Sequence, residues 1–113
     1  IKGLTVLSTS DEKGNVSSAI YSAPRFFADE RIGFIMRENL SYANIHKNPN
    51  ACVLFMEEAK GYKGKRLYLK KVAEDDNPEL INEHLKRCSH PVKEAKRHMV
   101  YFELVNERPL VGG

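Results

Sequence analysis

An arginine, a serine and four asparagines lie close together between two apolar runs, in the segment MRENLSYANIHKNPNACVLF of residues 36–55. Asn39 or Ser41 can cap a helix, whose first backbone N–H groups have no partner within the helix. Arg37 lies just before this start and offers five N–H donors. A phosphate would bind there through backbone N–H groups, a hydroxyl and a bidentate guanidinium. A capped connecting helix beside a solvated arginine also fits, and local chemistry alone favours it because capped helices are far commoner than phosphate sites.

Other polar residues give weaker indications of chemistry. Cys88, His90 and His98 lie on a proline-started segment without a second ligand cluster, so we expect no metal site. No Ser-His-Asp, Cys-His or paired-carboxylate spacing indicates a nucleophile or an acid–base pair. The sequence therefore suggests binding residues and leaves the catalytic residues unknown.

The basic run KGYKGKRLYLKK of residues 60–71 interleaves cationic side chains with Tyr62 and Tyr68. Barrels that bind single-stranded nucleic acid combine aromatic stacking with phosphate neutralisation, so nucleic acid is an alternative partner. A solvated edge strand protected by lysines has the same composition. The net charge of +3 is too small to argue for nucleic acid, although it suits one small anionic ligand.

The composition is that of an ordinary globular protein. The 113 residues, of which 42% are hydrophobic and 29% charged, predict a single domain over residues 1–113. No apolar run approaches the roughly 20 residues that cross a bilayer, and the start IKGLTVLSTSDEKG lacks a secretory apolar stretch, so we expect a cytoplasmic protein. Cys52 and Cys88 are too few for a disulfide framework and are expected to be buried free thiols.

Six segments rich in Val, Ile, Leu, Phe and Tyr are bounded by turn residues, which predicts strands at 4–9, 15–22, 31–37, 51–58, 65–73 and 98–106. Helices are predicted at 41–48 and at 78–88, the second with Asn77 as its cap and Pro78 in the first helical position. Six strands with two short helices predict a mainly β protein, a small β-barrel with helical inserts.

The last predicted strand is apolar on both faces. One face carries Val100, Phe102 and Leu104, and the other carries Met99, Tyr101 and Val105. A barrel interior covers only one face, so we expect a helix or a second subunit on the other.

The ordered segments STSDEKGNVSSAIYSAPRFFADERIGFIMRENLSYANIHKNPNACVLFMEE, GYKGKRLYLKKVAEDD and ERPLVG resemble the pyridoxamine 5'-phosphate oxidase-like family of FMN-binding split barrels. The similarity extends over nearly the whole chain and is closest to a small prokaryotic branch that carries GYKGKRL. The resemblance implies a six-stranded split β-barrel with two short helices. It also implies FMN as the cofactor and a homodimer with flavin sites in the grooves between subunits.

The resemblance also implies which residues contact FMN. The phosphate would lie at the end of the third strand and the following helix start, at Met36, Arg37, Asn39, Ser41 and Tyr42. The isoalloxazine ring would lie along Ser17, Ser18 and Ala19, contacted largely by backbone, and Lys65 and Arg66 would reach it from the partner subunit. Larger oxidases carry an Arg-Lys pair where this chain has Leu40 and Ser41, so Arg37, Lys65 and Arg66 become the candidate cations.

The activity implied by the resemblance is flavin-dependent oxidoreduction, by hydride or electron transfer, with an unknown substrate. True pyridoxamine phosphate oxidases hold their substrate with an arginine and a histidine on a C-terminal arm, whereas this sequence reads RPLVGG at its end. We therefore do not expect vitamin B6 oxidation. A non-enzymatic flavin carrier or a scaffold barrel is the alternative.

Overall fold

The computed structural model describes residues 3–58, 60–61, 63–87 and 96–112, with residues 84–87 described by their backbone only. The described elements, in chain order, are β1 (Gly3–Ser10), β2 (Val16–Tyr21), β3 (Arg25–Phe26), β4 (Ile32–Arg37), α1 (Leu40–Lys47), β5 (Asn50–Glu57), β6 (Gly64–Asp75), α2 (Pro78–Arg87) and β7 (Arg97–Pro109). All six predicted strands and both helices are confirmed. The additional strand is the two-residue β3, which lies in a segment predicted to be a loop.

The strands form one curled antiparallel sheet in the order β2-β1-β5-β6-β7-β4-β3. The β1–β2 hairpin turns where the sequence predicted, because Gly14 adopts a positive φ of 88° and the Asp11 carboxylate accepts the N–H groups of Lys13 and Asn15. The mainly β, split-barrel prediction is therefore confirmed.

The inner face of the curled sheet and one face of α1 form the main core. Its buried side chains are Leu7, Ile32, Phe34, Met36, Ile45, Ala51, Val53, Leu67, Leu69, Val100 and Phe102. The Asn44 amide of α1 donates to the Thr9 hydroxyl at 3.1 Å, which fixes the helix against β1. Helix α1 is thereby held against one end of the half-barrel, and its start is held in a fixed position.

Helix α2 covers the outer face of β7 with a second apolar cluster. Ile81 packs with Met99 and Tyr101, and Phe27, Ile35, Ala73 and Leu80 surround them. As far as Phe102, helix α2 therefore covers the outer apolar face of β7, which is one of the two expected possibilities. Leu104 and Val105 remain 47% and 63% exposed.

Both helices begin at the predicted caps. At the start of α2, Asn77 accepts the Glu79 N–H at 3.0 Å. At the end of α1, the backbone of Asn48 is extended, as is usual for a residue directly before a proline, here Pro49. The predicted face of α2 includes His84, Leu85 and Cys88, whose side chains lie outside the described residues.

Among the described residues, no helix is both long enough and apolar enough to cross a membrane. The cytoplasmic location stays a prediction.

Candidate functional site

The start of α1 has the geometry that the sequence suggested, and of the two candidate caps, Asn39 and Ser41, the helix uses Asn39. The Asn39 side chain accepts the Tyr42 N–H at 3.1 Å and is the cap. Ser41 is only 3% exposed. The other N–H groups of the first turn have no partner within the helix, while the carboxylates of Glu74, Asp76 and Glu38 lie close enough to Tyr42 of the same turn to act on its phenol.

Arg37 ends β4 and lies directly opposite Arg97 of β7. Arg37 is exposed and Arg97 is partly exposed. Within the part of the chain that the structure describes, neither guanidinium forms an ion pair. Like charges at opposed positions of a sheet repel each other, and an anion between them would relieve that repulsion. The sequence analysis missed Arg97, because only the strand register places it beside Arg37.

Strand β2 reaches the start of α1 through a side-chain contact. The Tyr21 hydroxyl lies 3.3 Å from the Asn39 amide nitrogen. Ser17 and Ala19 share the inner face of β2 with Tyr21, whereas Ser18 faces outward, where its hydroxyl lies 2.7 Å from that of Ser8. The proposed ring-binding strand and the proposed phosphate site are therefore neighbours, although Ser17 and Ser18 point to opposite faces.

Two of the implied phosphate residues are used elsewhere in the structure. The Met36 side chain is fully buried in the main core, so only its backbone could meet a ligand. The Tyr42 hydroxyl donates to the Glu74 carboxylate at 2.5 Å. Burial and this carboxylate raise the pKa of the Tyr42 phenol well above its usual range.

Lys65 and Arg66 lie on opposite faces of β6. Lys65 pairs with Glu107 at 2.9 Å, and the Arg66 guanidinium donates to the carbonyls of Pro109 and Gly112 at 2.8 and 2.6 Å. Lys65 is paired in register with Pro109, at the opposite end of β7 from Arg97. The 13 residues of β7 extend over roughly 40 Å, more than one FMN spans. Lys65 and Arg66 can therefore join the α1 site only from a second copy.

The internal contacts of the basic run weaken the nucleic-acid alternative. Besides the contacts of Lys65 and Arg66, the Lys71 amine lies 3.7 Å from the Glu74 carboxylate, and the Arg108 guanidinium lies over the Tyr68 ring. Tyr62 lies outside the described residues. Three of the six cations of this run and the ring of Tyr68 are therefore engaged within the chain, which leaves less of the run for phosphates or bases.

A histidine and two carboxylates come together beside Tyr42. His98 Nδ1 lies 2.5 Å from Asp76 Oδ1 and 3.4 Å from Glu74 Oε2, and Tyr42 stacks on the His98 ring at 4.5 Å. The sequence placed His98 with Cys88 and His90, which lie outside the described residues, and so gave no reason to expect a metal site. In the structure its neighbours are Glu74, near the end of β6, and Asp76, directly after that strand, and only the pairing of β6 with β7 brings them together.

An open groove of about 1220 Å³ lies between β3 and the β5–β7 part of the sheet. Phe26, Phe55 and Leu104 supply apolar surface, and the cations Arg31 and Lys65 are paired there with carboxylates. The carboxylates that line the groove are Asp29, Glu30, Glu57, Glu103 and Glu107. Cys52 lies on the outer face of β5, where partial burial raises the pKa of its thiol. An unreactive structural thiol fits this position.

No protein-family model matches the chain, and its sequence has no match among curated proteins. Its fold does match solved structures. An F420 reductase is 14% identical, with a TM-score of 0.79 over 93% of this chain and 88% of the other. An FMN-binding protein from Syntrophomonas wolfei subsp. wolfei is 23% identical, with a TM-score of 0.76 over 96% and 78%.

A candidate pyridoxamine 5'-phosphate oxidase from Listeria innocua is 16% identical, with a TM-score of 0.69 over 95% of this chain and 87% of the other. Each of the three alignments covers more than nine-tenths of this chain. The chain therefore has the split-barrel fold that its resemblance to the pyridoxamine 5'-phosphate oxidase-like proteins predicted.

Proposed function

We propose that this protein binds FMN between two copies of the chain and works as a flavin-dependent oxidoreductase. The observation that carries the proposal is the register that pairs Arg37 with Arg97 at the end of β4, directly before the Asn39-capped start of α1 in the chain. It occurs in a fold that an FMN-binding protein shares.

The phosphate is the part of FMN that this site suits best. A phosphate near the first turn of α1 would accept free backbone N–H groups and face the positive end of the helix dipole. Arg37, and Arg97 beside it, can add bidentate contacts, which lessen the repulsion between the two guanidinium groups. Riboflavin would gain none of these contacts, so the proposal predicts a preference for FMN.

The ring would lie along β2, next to the phosphate site. The Tyr21–Asn39 contact keeps the end of β2 against the cap of α1. Small side chains at Ser17 and Ala19 allow a planar ring to approach the strand backbone closely. The support for ring binding along β2 is steric, because no charged side chain of β2 is involved.

The second copy is supported by an unpaired strand edge. β4 pairs with β7 only between Arg97 and Phe102, and β7 then continues to Pro109 with β6 on one side alone. Leu104 and Val105 are exposed on this free part. An exposed apolar edge of this kind is typical of a surface covered by a partner, and a two-fold dimer is the commonest solution.

The bound flavin would supply hydride or electron transfer, while the residues described here bind it, orient it and exclude water. Catalytic residues are not assigned. A flavin carrier needs the same contacts, so turnover with NADH or NADPH on the flavin-loaded protein separates the two roles.

The direct test is equilibrium binding of FMN, riboflavin and F420 to the purified protein, followed by flavin fluorescence. We expect saturable FMN binding that is clearly tighter than riboflavin binding, and an absorption band that survives gel filtration. Equal affinity for FMN and riboflavin would contradict the phosphate site. Tighter binding of F420 than of FMN would contradict the choice of cofactor.

A further inference from the structure

We propose that Glu74, Asp76 and His98 form a binding site for one divalent transition-metal ion such as Zn²⁺. The three side chains can bring Nδ1 of the histidine and one oxygen of each carboxylate within 4.8 Å of one another. The site lies where the end of β6 meets the start of β7, and it does not depend on flavin binding.

The distances between the ligand atoms suit a metal of this size. Metal–nitrogen and metal–oxygen bonds near 2.1 Å in a tetrahedral site put the ligand atoms roughly 3.3 Å apart. His98 Nδ1 and Glu74 Oε2 are already separated by 3.4 Å. Asp76 Oδ1 lies 2.5 Å from Nδ1 and must move back, which its 56% exposed side chain can do.

The buried histidine supplies an independent reason. The His98 side chain is 3% exposed, and its Nε2 has no hydrogen-bond partner among the described residues. Nδ1 shares a hydrogen bond with Asp76 Oδ1, whereas Nε2 faces the Glu38 carboxylate at 3.5 Å without a hydrogen bond to it. Such an unsatisfied buried nitrogen is unfavourable.

A metal at Nδ1 removes this defect. The proton then belongs to Nε2, and the Glu38 carboxylate, 3.5 Å away on a 57% exposed side chain, can move to accept it. A carboxylate that accepts the second N–H of a metal-bound histidine is the usual support of such sites, and it fixes both the tautomer and the ring.

Glu74 is oriented in the same way. Its Oε2 accepts the Tyr42 hydroxyl at 2.5 Å, and its Oε1 lies 2.9 Å from His46 Nε2. The Tyr42 ring stacks on His98 with an angle of 15° between the planes, so two of the three ligands are held by the same tyrosine. Prearranged ligands lose less freedom when the ion binds.

The ligand types select the class of ion. One imidazole with two carboxylates suits Zn²⁺, Mn²⁺, Fe²⁺ and Co²⁺, whereas Mg²⁺ prefers an all-oxygen octahedron with several waters. The carboxylates of Glu38, Glu74 and Asp76 lie around His98, and Lys71 lies near Glu74. The excess of negative charge around His98 also favours a dication.

The test is titration of the EDTA-stripped full chain, free of flavin, with Zn²⁺ by calorimetry and with Co²⁺ by visible absorption. We expect one ion per chain, cobalt bands typical of nitrogen and oxygen ligands, and no comparable response to Mg²⁺. Asp76→Asn should weaken binding by about tenfold or more. Because Asp76 is exposed, this variant should fold, which circular dichroism checks.

The matched control is Glu103→Gln, which removes an exposed carboxylate of β7 away from the cluster and should leave metal binding unchanged. Nitrogen NMR of His98 should show binding at Nδ1 and a proton on Nε2. The proposal is overturned if Zn²⁺ does not saturate the chain at millimolar concentration, or if Asp76→Asn binds it as the wild type does.

Discussion

Arg37 and Arg97 are the two residues on which the flavin proposal depends most. Each is ordinary on its own, but they lie opposite each other at the end of β4 and the start of β7, and β4 leads directly into α1. This combination raises the phosphate interpretation above that of a simply capped helix. The fully buried Met36 contributes packing only.

Arg37→Ala should weaken FMN binding by roughly 1.5–3 kcal/mol, the usual contribution of a hydrogen bond to a charged group. Riboflavin binding should hardly change, since riboflavin lacks the phosphate. Ser41→Ala should change neither affinity appreciably, because the Ser41 side chain is buried and the backbone N–H groups remain. The measurement is fluorescence quenching with both ligands.

Lys13→Ala, in the exposed β1–β2 turn, is the control for Arg37→Ala and should leave both affinities unchanged. Equal losses for FMN and riboflavin would mean that Arg37 supports the fold rather than a phosphate.

Single residues were predictable from the sequence where the signal is local. Asn39 and Arg37 were found because caps and donors are defined by their immediate neighbours in the chain. Arg97, Glu74 and Asp76 were missed, because they meet their partners only through the pairing of β7 with β4 and β6, and pairing between strands that are distant in the chain has no local signature.

At the scale of elements, turn residues marked most boundaries correctly. Asn48 and Pro49 end α1, and Asn77 begins α2. The two-residue β3 was missed because its sequence, between Pro24 and the positive-φ residue Glu30, is dominated by turn signals. The irregularities of register in the β6–β7 pair were not predictable either, because a bulge depends on both strands.

Gly64→Ala should destabilise the sheet, because a methyl group there would lie 1.8 Å from the Phe55 carbonyl oxygen. We expect a loss of more than about 1 kcal/mol, the cost of an incompatible glycine replacement. Chemical denaturation measures the free energy of unfolding.

Gly61→Ala is the matched comparison, since Gly61 also has a positive φ but nothing lies within 4 Å of the added methyl group. Gly64→Ala must be the more damaging of the two. If both cost the same, the close approach of β6 to β5 at Gly64 has no energetic importance.

At the scale of the whole molecule, the free edge of β7 and the separation of Lys65 from Arg37 both require a second copy in this account. The sequence indicated that both faces of β7 are apolar, but it could not show which part of the strand α2 covers and which part is left for a partner. That division follows from where β4 ends, which is a property of the folded sheet.

Leu104→Lys should convert the proposed dimer into a folded monomer, because it puts a charge on the free apolar part of β7. Leu104 is 47% exposed in one chain, so the fold should survive. Light scattering with circular dichroism checks both points. Glu12→Lys, which adds a lysine in the exposed turn, should remain dimeric; loss of the dimer there as well would point to general charge repulsion.

Lys65→Ala should weaken FMN binding by about 1.5 kcal/mol if the lysine meets the flavin of the other copy. Lys70→Ala, an exposed lysine on the same strand, should leave the affinity unchanged. Identical FMN affinities for wild type and Lys65→Ala would remove this lysine from the site.

The central claim is that two copies of the chain hold FMN between them, and native mass spectrometry of the FMN-incubated protein tests it most directly. The account predicts one main species of two chains with two FMN molecules, and a loss of both FMN molecules from the Leu104→Lys monomer. A single chain of 12.9 kDa that retains FMN, or a dimer that retains none, would contradict it.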